Sequence, residues 1–123
     1  MILIVEDDPQ VSRLISLVLR RSGYESEVLA DGQKALDRAR EVHPGMIFAD
    51  LTLKGMSGDR LCTLLKEDEK TRDIPFVVLS GDRDIAEKAR VCGANDHLGK
   101  PFEFEDLIRL VEKHANSEIR KTT

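Results

Sequence analysis

Tryptophan is absent from this sequence of 123 residues, and aromatic residues make up only 4% of it. The core is therefore expected to consist mainly of Leu, Val and Ala, and no aromatic stacking surface is expected. The formal net charge is −4, which argues against direct binding of DNA or RNA, because such binding depends on Lys and Arg side chains that neutralise phosphates. No apolar run approaches the roughly 18 residues of a membrane span, so we expect no membrane association.

The chain has two cysteines, and their positions do not suggest a disulfide. Cys62 and Cys92 are widely spaced and lie in apolar helical patterns, so we predict that they are small core residues and not a disulfide pair or half of a zinc site. The apolar N-terminal residues are too few for a signal sequence and have no basic leader. Together these features predict a cytoplasmic protein.

Short apolar runs alternate with amphipathic segments along the chain. The runs predict five strands, at residues 2–5, 26–29, 46–49, 76–79 and 95–98. Between and after them, apolar residues recur with a period of about 3.6, which predicts helices. Continuous apolar strands are typical of a parallel sheet covered on both faces, so the pattern predicts one doubly wound α/β domain at residues 1–115. Residues 116–123 are polar and are predicted to extend the last helix or to fray.

Polar side chains follow four of the five predicted strands. Glu6 and Asp7 come after the first strand, Asp50 after the third, Ser80 after the fourth and Lys100 after the fifth. Taken singly, each is compatible with an ordinary strand end, turn or helix entry. In open α/β sheets, however, ligands bind outside the carboxyl ends of the strands. With a suitable strand order, three acids, one hydroxyl and one ammonium converge on one rim.

Three clustered carboxylates need a cation, because they repel one another in a partly desolvated cleft. Oxygen ligands select a hard divalent ion, and Mg²⁺ suits a site with few carboxylates, several waters and a phosphate. One Mg²⁺ together with the Lys100 ammonium balances the charge of the three carboxylates. Asp50 can then act as a nucleophile and form an aspartyl phosphate, while the metal and the ammonium stabilise the developing charge.

Four segments of the chain carry a more specific resemblance. They are ILIVEDDP at residues 2–9, MIFADLTLKGMSG at 46–58, VVLSGD at 77–82 and GANDHLGKPF at 93–102. With these motifs, residues 1 to about 115 resemble a response-regulator receiver domain of two-component signalling. The resemblance implies a flavodoxin-like three-layer sandwich with five helices and a five-stranded parallel sheet in the order 2-1-3-4-5.

The resemblance also implies roles for the acids at the rim. Asp50 is expected to be the phosphoacceptor. Asp7 and Asp50 are expected to bind Mg²⁺ directly, together with the backbone carbonyl of Thr52. Glu6 is expected to act on the metal through water.

The remaining roles concern the phosphoryl group and the response to it. Ser80 is expected to bind a phosphoryl oxygen and to move towards it, and Lys100 is expected to pair with the phosphoryl group. In the family, an aromatic side chain of strand 5 then turns inward and remodels the face of helix 4, strand 5 and helix 5 for a partner. This sequence has His97 at that switch position, where Tyr or Phe is usual. It also has Lys54 where Pro is usual and Gly81 where Ala is usual.

The resemblance therefore predicts a phosphorylatable switch that catalyses only the phosphorylation and dephosphorylation of its own aspartate. Its donor is a sensor histidine kinase or phosphotransfer protein, and its output is a changed affinity for a downstream protein, as a monomer or a phosphorylation-dependent dimer. An alternative, motivated by His97 and Lys54, is a degenerate receiver that binds partners regardless of phosphorylation. A hydrolase with an Asp nucleophile ranks last, because that chemistry requires a second acid where this chain has Thr52. The sequence leaves open whether the receiver stands alone or belongs to a larger regulator.

Overall fold

The computed structural model describes residues 1–114, and within them five strands alternate with five helices. The strands are β1 (Ile2–Val5), β2 (Ser26–Leu29), β3 (Met46–Asp50), β4 (Phe76–Ser80) and β5 (Asp96–Gly99). The helices are α1 (Pro9–Arg21), α2 (Gly32–Val42), α3 (Gly58–Glu67), α4 (Ile85–Cys92) and α5 (Phe104–His114). The polar tail predicted at residues 116–123 lies outside the described residues, so the prediction for it stays untested.

All five strands pair in parallel, in the order β2-β1-β3-β4-β5. This arrangement confirms the predicted doubly wound sheet. In its register, Asp50 lies beside Leu79, and Ser80 lies beside Gly99. The strand ends therefore meet at one edge of the sheet, which we call the carboxyl edge, and the strands begin at the opposite or amino edge.

Helices cover both faces of the sheet, and each face has its own apolar core. Buried residues of α2, α3 and α4 pack with Val5 and Ala49 on one face. Buried residues of α1 and α5 pack with Ile4 and Phe48 on the other. The apolar residues of the three inner strands are fully buried, whereas β2 and β5, at the sides of the sheet, are partly exposed. Among residues 1–114, no helix has the length and apolar character required to cross a membrane.

Local signals place the ends of most elements close to their predicted positions. The Asp8 side chain caps α1 by accepting a backbone hydrogen bond at 2.9 Å, and Pro9 is the first residue of that helix. Gly93, with a φ of 85°, ends α4 in the left-handed conformation that favours glycine. Strands β3 and β4 are each one residue longer than predicted and end with Asp50 and Ser80. These two side chains therefore belong to the sheet and not to loops.

Candidate functional site

The carboxyl edge of the sheet brings several of the predicted site residues together. Glu6 directly follows β1, and its backbone N–H donates to the Leu29 carbonyl at 3.0 Å. Asp50 ends β3, the central strand of the sheet. Lys100 directly follows β5, and its backbone N–H donates to the Ser80 carbonyl at 2.9 Å. Backbone pairing therefore continues past the strand ends and fixes the main chain of the site.

Lys100 lies between two carboxylates. Its Nζ donates to Glu6 Oε1 at 2.7 Å and to Asp50 Oδ2 at 2.5 Å. The side chain of Lys100 is 25% exposed, whereas those of Glu6 and Asp50 are 1% and 14% exposed. Because there is one ammonium for two carboxylates, Lys100, Glu6 and Asp50 carry a net negative charge when all three side chains are ionised.

The pKa values of the three groups are shifted in different directions. Burial is the largest influence on Glu6 and raises the pKa of that carboxyl to about 7, with Lys100 opposing the rise and Asp50 adding to it. Burial also acts to raise the pKa of Asp50, but hydrogen bonds from Lys100 and from the Thr52 backbone help to outweigh it, so that pKa is lowered. Burial acts to lower the pKa of Lys100, but its bonds to the carboxylates raise it overall. Near neutral pH, Asp50 is therefore the carboxylate that remains ionised.

Two further hydrogen bonds orient side chains of the site. The backbone N–H of Thr52 donates to Asp50 Oδ1 at 2.9 Å, so the two oxygens of this carboxylate have different partners. Ser80 is buried, and its Oγ accepts from the backbone N–H of Asp82 at 3.0 Å. The metal contact expected of the Thr52 carbonyl and the phosphoryl contact expected of Ser80 stay predictions.

Asp7 differs from the other two acids of the predicted metal site in its exposure. It is exposed, and in residues 1–114 no three His, Cys, Asp or Glu side chains are grouped so that they could hold a metal ion. The Lys100 ammonium contacts both Glu6 and Asp50. The donors nevertheless fit Mg²⁺, because they are carboxylate oxygens and Glu6 Oε2 is buried with no hydrogen-bond partner among these residues.

The three positions that depart from the expected pattern are all exposed. His97 is exposed on β5. The backbone carbonyl of Lys54 accepts from the N–H of Gly32 at 3.1 Å, which ties the loop after β3 to the start of α2. At Gly81, a Cβ would lie 3.8 Å from the nearest atom, the carbonyl oxygen of Lys100, so alanine would fit without rearrangement.

Gly58 positions the site and was missed by the sequence analysis. It begins α3, and a Cβ added to it would lie only 2.0 Å from the carbonyl oxygen of Asp50. Its own N–H donates to the Leu51 carbonyl at 2.9 Å. The start of α3 can approach the end of β3 this closely only if no side chain intervenes. The available signal was a glycine directly after Ser57, the N-cap residue of the helix.

Several known proteins are similar in sequence to this chain. The family model described as the response regulator receiver domain matches residues 2–112. The chain is 38% identical over 112 residues to the DNA-binding dual master transcriptional regulator RpaA of a Synechocystis species, covering 89% of this chain and 46% of RpaA. It is 27% identical to Protein PilG of Pseudomonas aeruginosa, covering 94% of this chain and 87% of PilG. The chain thus spans about half the length of RpaA and of similar DNA-binding regulators.

Solved structures show the same fold. The receiver domain of the sensor histidine kinase PA1611 from Pseudomonas aeruginosa has a TM-score of 0.85 and 30% sequence identity with this chain. The match covers 92% of this chain and 94% of the PA1611 domain. The PA1611 structure contains a magnesium ion coordinated in its active site cleft.

Proposed function

Because this chain belongs to the response regulator receiver domain family, we propose that it is a phosphorylatable signalling switch with Asp50 as its phosphoacceptor. The proposal depends on one observation: the partly buried ammonium of Lys100 donates hydrogen bonds to both Asp50 and Glu6. The ammonium can exchange a charge-assisted hydrogen bond to a carboxylate for one to an incoming phosphoryl group, because both acceptors are anionic. A receiver is a signalling switch and not a classical enzyme, since the group that it modifies is its own aspartate.

Asp50 is suited to attack phosphorus. Its lowered pKa keeps it ionised at neutral pH, and the Thr52 backbone orients one of its oxygens. A carboxylate oxygen attacks the phosphorus of a phosphohistidine, the P–N bond breaks, and the imidazole of the donor leaves. Lys100 donates to the phosphoryl oxygens as their charge develops. Ser80 keeps its hydroxyl proton available as a further donor, because its Oγ acts as the acceptor in its bond to the backbone.

We propose Mg²⁺ as the cofactor, held by Glu6, Asp7 and Asp50 and by the backbone carbonyl of Thr52, with Glu6 acting through water. When bound, the ion supplies the positive charge that compensates the phosphoryl oxygens during transfer. The Oε2 atom of Glu6, buried with no hydrogen-bond partner among residues 1–114, supports this assignment, as does the similarity to the magnesium-containing PA1611 receiver. Asp7 is the exposed member of the set.

The donor is expected to be a protein, because an apolar cleft adjoins the site. This cleft has a volume of about 400 Å³, and Leu14, Lys100, Pro101 and Phe104 contribute to its walls. Leu14 is 45% exposed and Phe104 is 48% exposed. Exposed apolar surface that includes the site lysine suits a protein surface better than a small polar metabolite. A cytoplasmic sensor histidine kinase or phosphotransfer protein fits this requirement.

We place the output on the face formed by α4, β5 and α5. Ser80 links the site to this face, because its Oγ is bound to Asp82 in the loop that leads into α4. When Ser80 turns to a phosphoryl oxygen, it gives up that bond and releases the loop. Val91 on α4 is 70% exposed and His97 on β5 is exposed, so both can contact a downstream protein.

Phosphorylation of the purified protein tests the proposal. Incubation with Mg²⁺ and acetyl phosphate should add one phosphoryl group, as measured by the mass of the intact protein. Asp50→Asn should remain unmodified, because an amide cannot form the acyl phosphate. Asp73→Asn is the matched control, since it makes the same change at a side chain that is 68% exposed and lies before β4, at the amino edge. Failure of both the wild type and Asp73→Asn to gain a phosphoryl group would refute the proposal.

A second measurement separates the switch from a degenerate receiver. Beryllofluoride, which mimics a phosphoryl group on Asp50, should change the hydrogen exchange of the segment from Ser80 through α4 if this is a switch. The expected change depends on Mg²⁺ and is absent in Asp50→Asn. If wild-type exchange is the same with and without beryllofluoride, although phosphorylation occurs, the protein is an interaction module without a switch.

A further inference from the structure

The two cysteines meet in the interface between α3 and α4, although 30 positions separate them in the chain. The Cys62 thiol donates to the backbone carbonyl of Cys92, with 3.4 Å between sulfur and oxygen. Cys92 donates in turn to the Ala89 carbonyl at 3.4 Å. Both cysteines are free and buried, with Cys62 fully buried and Cys92 6% exposed. The fold therefore brings together two thiols that the sequence analysis treated as independent core residues.

Each thiol directly alters the chemistry of the other. The contact between the two residues is the largest influence on both pKa values. It raises the pKa of the Cys62 thiol, in the same direction as burial, and it lowers the pKa of the Cys92 thiol against the effect of burial. Because the thiolate is the reactive form of cysteine, Cys92 is the nucleophile of the pair and Cys62 is the neighbouring thiol.

The surroundings hold the two helices together at this point, so small oxidants reach the buried Cys92 only when α4 opens. Lys66, one turn after Cys62, donates to the side chain of Asn95 at 2.8 Å and so ties α3 to the segment that follows α4. Helix α4 has only 8 residues, and its N-cap residue, Asp84, makes no side-chain capping bond. A short helix without such a cap opens more readily than the rest of a domain, and its opening exposes Cys92 to small oxidants.

We propose that Cys62 and Cys92 are a peroxide-sensitive pair that forms an intramolecular disulfide between α3 and α4. The Cys92 thiolate attacks one oxygen of hydrogen peroxide, the O–O bond breaks, and a sulfenic acid forms as hydroxide leaves and takes up a proton. The Cys62 thiol then attacks the sulfenic sulfur, the S–S bond forms, and a second water leaves with the thiol proton. The two sulfur atoms together lose two electrons, and the peroxide gains them.

The disulfide would join α4, which belongs to the proposed output face, to α3, which does not. Local opening of α4 would then be restricted, because its last turn would be covalently bound to a neighbouring helix. Oxidation would thus restrict the motion of α4 on the proposed output face and would leave the residues of the carboxyl edge unmodified. The proposal goes beyond the phosphoryl switch and does not require it, since its primary readout is the covalent state of the thiols.

The test is oxidation of the folded wild-type protein with a small excess of hydrogen peroxide, followed by alkylation of free thiols and digestion with trypsin under non-reducing conditions. The expected product joins peptide 61–66 to peptide 91–109, is lighter than the sum of the two peptides by two hydrogen atoms, and disappears after treatment with dithiothreitol. The chain has no other cysteine, so a crosslink within one molecule can have no other location. Amides of α4 should also exchange hydrogen more slowly in the oxidised protein.

Two variants and two alternative products complete the test. Cys62→Ala should leave Cys92 to form a sulfenic acid that dimedone traps, whereas Cys92→Ala should react far more slowly with peroxide. The wild-type result is decisive even if a variant fails to fold, because it needs no substitution. A folded wild type that yields only sulfinic or sulfonic acid, only disulfide-linked dimers, or no thiol oxidation while the unfolded chain reacts would overturn the proposal.

Discussion

Two partly buried lysines lie at opposite edges of the same sheet, and their partners differ in charge. At the carboxyl edge, Lys100 Nζ donates to two carboxylates, those of Glu6 and Asp50. Near the amino edge, in the last turn of α3, Lys66 Nζ donates to the carbonyls of Ile74 at 2.7 Å and Arg72 at 3.1 Å. Its third hydrogen bond is to the side-chain oxygen of Asn95, described above. One ammonium therefore has ionic partners and the other has neutral ones.

The difference in partners changes the sign of the pKa shift. Burial lowers the pKa of Lys66, and its neutral acceptors do not reverse that effect. For Lys100, the carboxylates outweigh burial, and its pKa is raised. Three neutral oxygen atoms satisfy all three donors of Lys66, so this site is complete and structural. The site of Lys100 has two carboxylates for one ammonium, and Glu6 Oε2 is buried with no partner among the described residues, so the site is arranged to receive a further ligand.

The largest expected effect comes from removing the lysine at the carboxyl edge. Lys100→Met should lower the rate of phosphorylation by acetyl phosphate about 100-fold, or about 3 kcal/mol, because a preorganised donor to the transferring group is lost. The rate is measured from the mass of the intact protein over time. Lys66→Met is the matched control and should keep the wild-type rate. Equal losses of rate in the two variants would show that the edges do not differ in function.

The second-largest expected effect comes from a substitution at the point where α3 closely approaches Asp50. Gly58→Ala introduces a Cβ that would lie 2.0 Å from the Asp50 carbonyl oxygen, so the backbone of the site must shift. We expect a loss of up to about 3 kcal/mol in the free energy of unfolding, measured with urea, and slower phosphorylation. Gly81→Ala is the control at the same edge, because its Cβ would meet no atom closer than 3.8 Å. If both variants are as stable as the wild type, Gly58 does not position the site.

The strands and their convergence could be predicted from the sequence because they depend on local patterns. Continuous apolar runs identify inner strands, and parallel strands must end at a common edge. The strand order came from the family resemblance, since no local pattern specifies which strands pair. The start of β5 was predicted one residue early, at Asn95, because the role of this residue depends on distant partners. Its side-chain oxygen accepts from the backbone N–H of Phe76 at 2.9 Å as well as from Lys66.

The site itself was predicted less completely than the sheet. The contacts of Lys100 with both carboxylates agree with the convergence that the strand-end pattern predicts. The metal contact expected of Asp7 stays a prediction. Such a contact depends on the direction of a side chain, which a strand-end pattern does not specify. Gly58 was missed because its close approach to the Asp50 carbonyl depends on the path of the loop at residues 51–57, which no local pattern specifies. Sequence patterns therefore predicted which residues reach the edge, and only the structure shows which of them touch.

At the amino edge, Lys66→Met should mainly reduce stability. The substitution removes an ammonium that satisfies the carbonyls of Arg72 and Ile74 and links them to Asn95. We expect a loss of about 2 kcal/mol in the free energy of unfolding, because partly buried acceptors lose a charged donor. Lys70→Met is the control, since Lys70 is exposed and its removal should cost little. Urea unfolding of the two variants decides the matter, and equal stabilities would mean that the Lys66 contacts contribute nothing net.

The smallest effect concerns a carboxylate at the amino edge, where β5 begins. Asp96 accepts hydrogen bonds from His114 Nε2 at 2.8 Å and from Lys113 Nζ at 3.3 Å. Burial, the largest single influence, acts to raise the pKa of Asp96, but these bonds and one from the His97 backbone lower it overall. Asp96→Asn removes the charge and should cost about 1 kcal/mol near neutral pH, because a partly exposed ion pair contributes little. Urea unfolding at a series of pH values measures the difference.

The pH dependence of that difference has a definite sign. Because the folded-state pKa of Asp96 lies below its ordinary value of 3.8, the unfolded chain takes up the proton first as the pH falls. The stabilisation is therefore fully present above the unfolded pKa and is lost as the pH falls through the folded one. Wild type and Asp96→Asn should converge in acid, whereas Asp73→Asn, at an exposed acid of the same edge, should track the wild type closely. A gap between wild type and Asp96→Asn that stays constant into acid would mean that the Asp96 charge is not its source. Charge pairing would then not stabilise Asp96, and the contrast between the two edges would rest on the lysines alone.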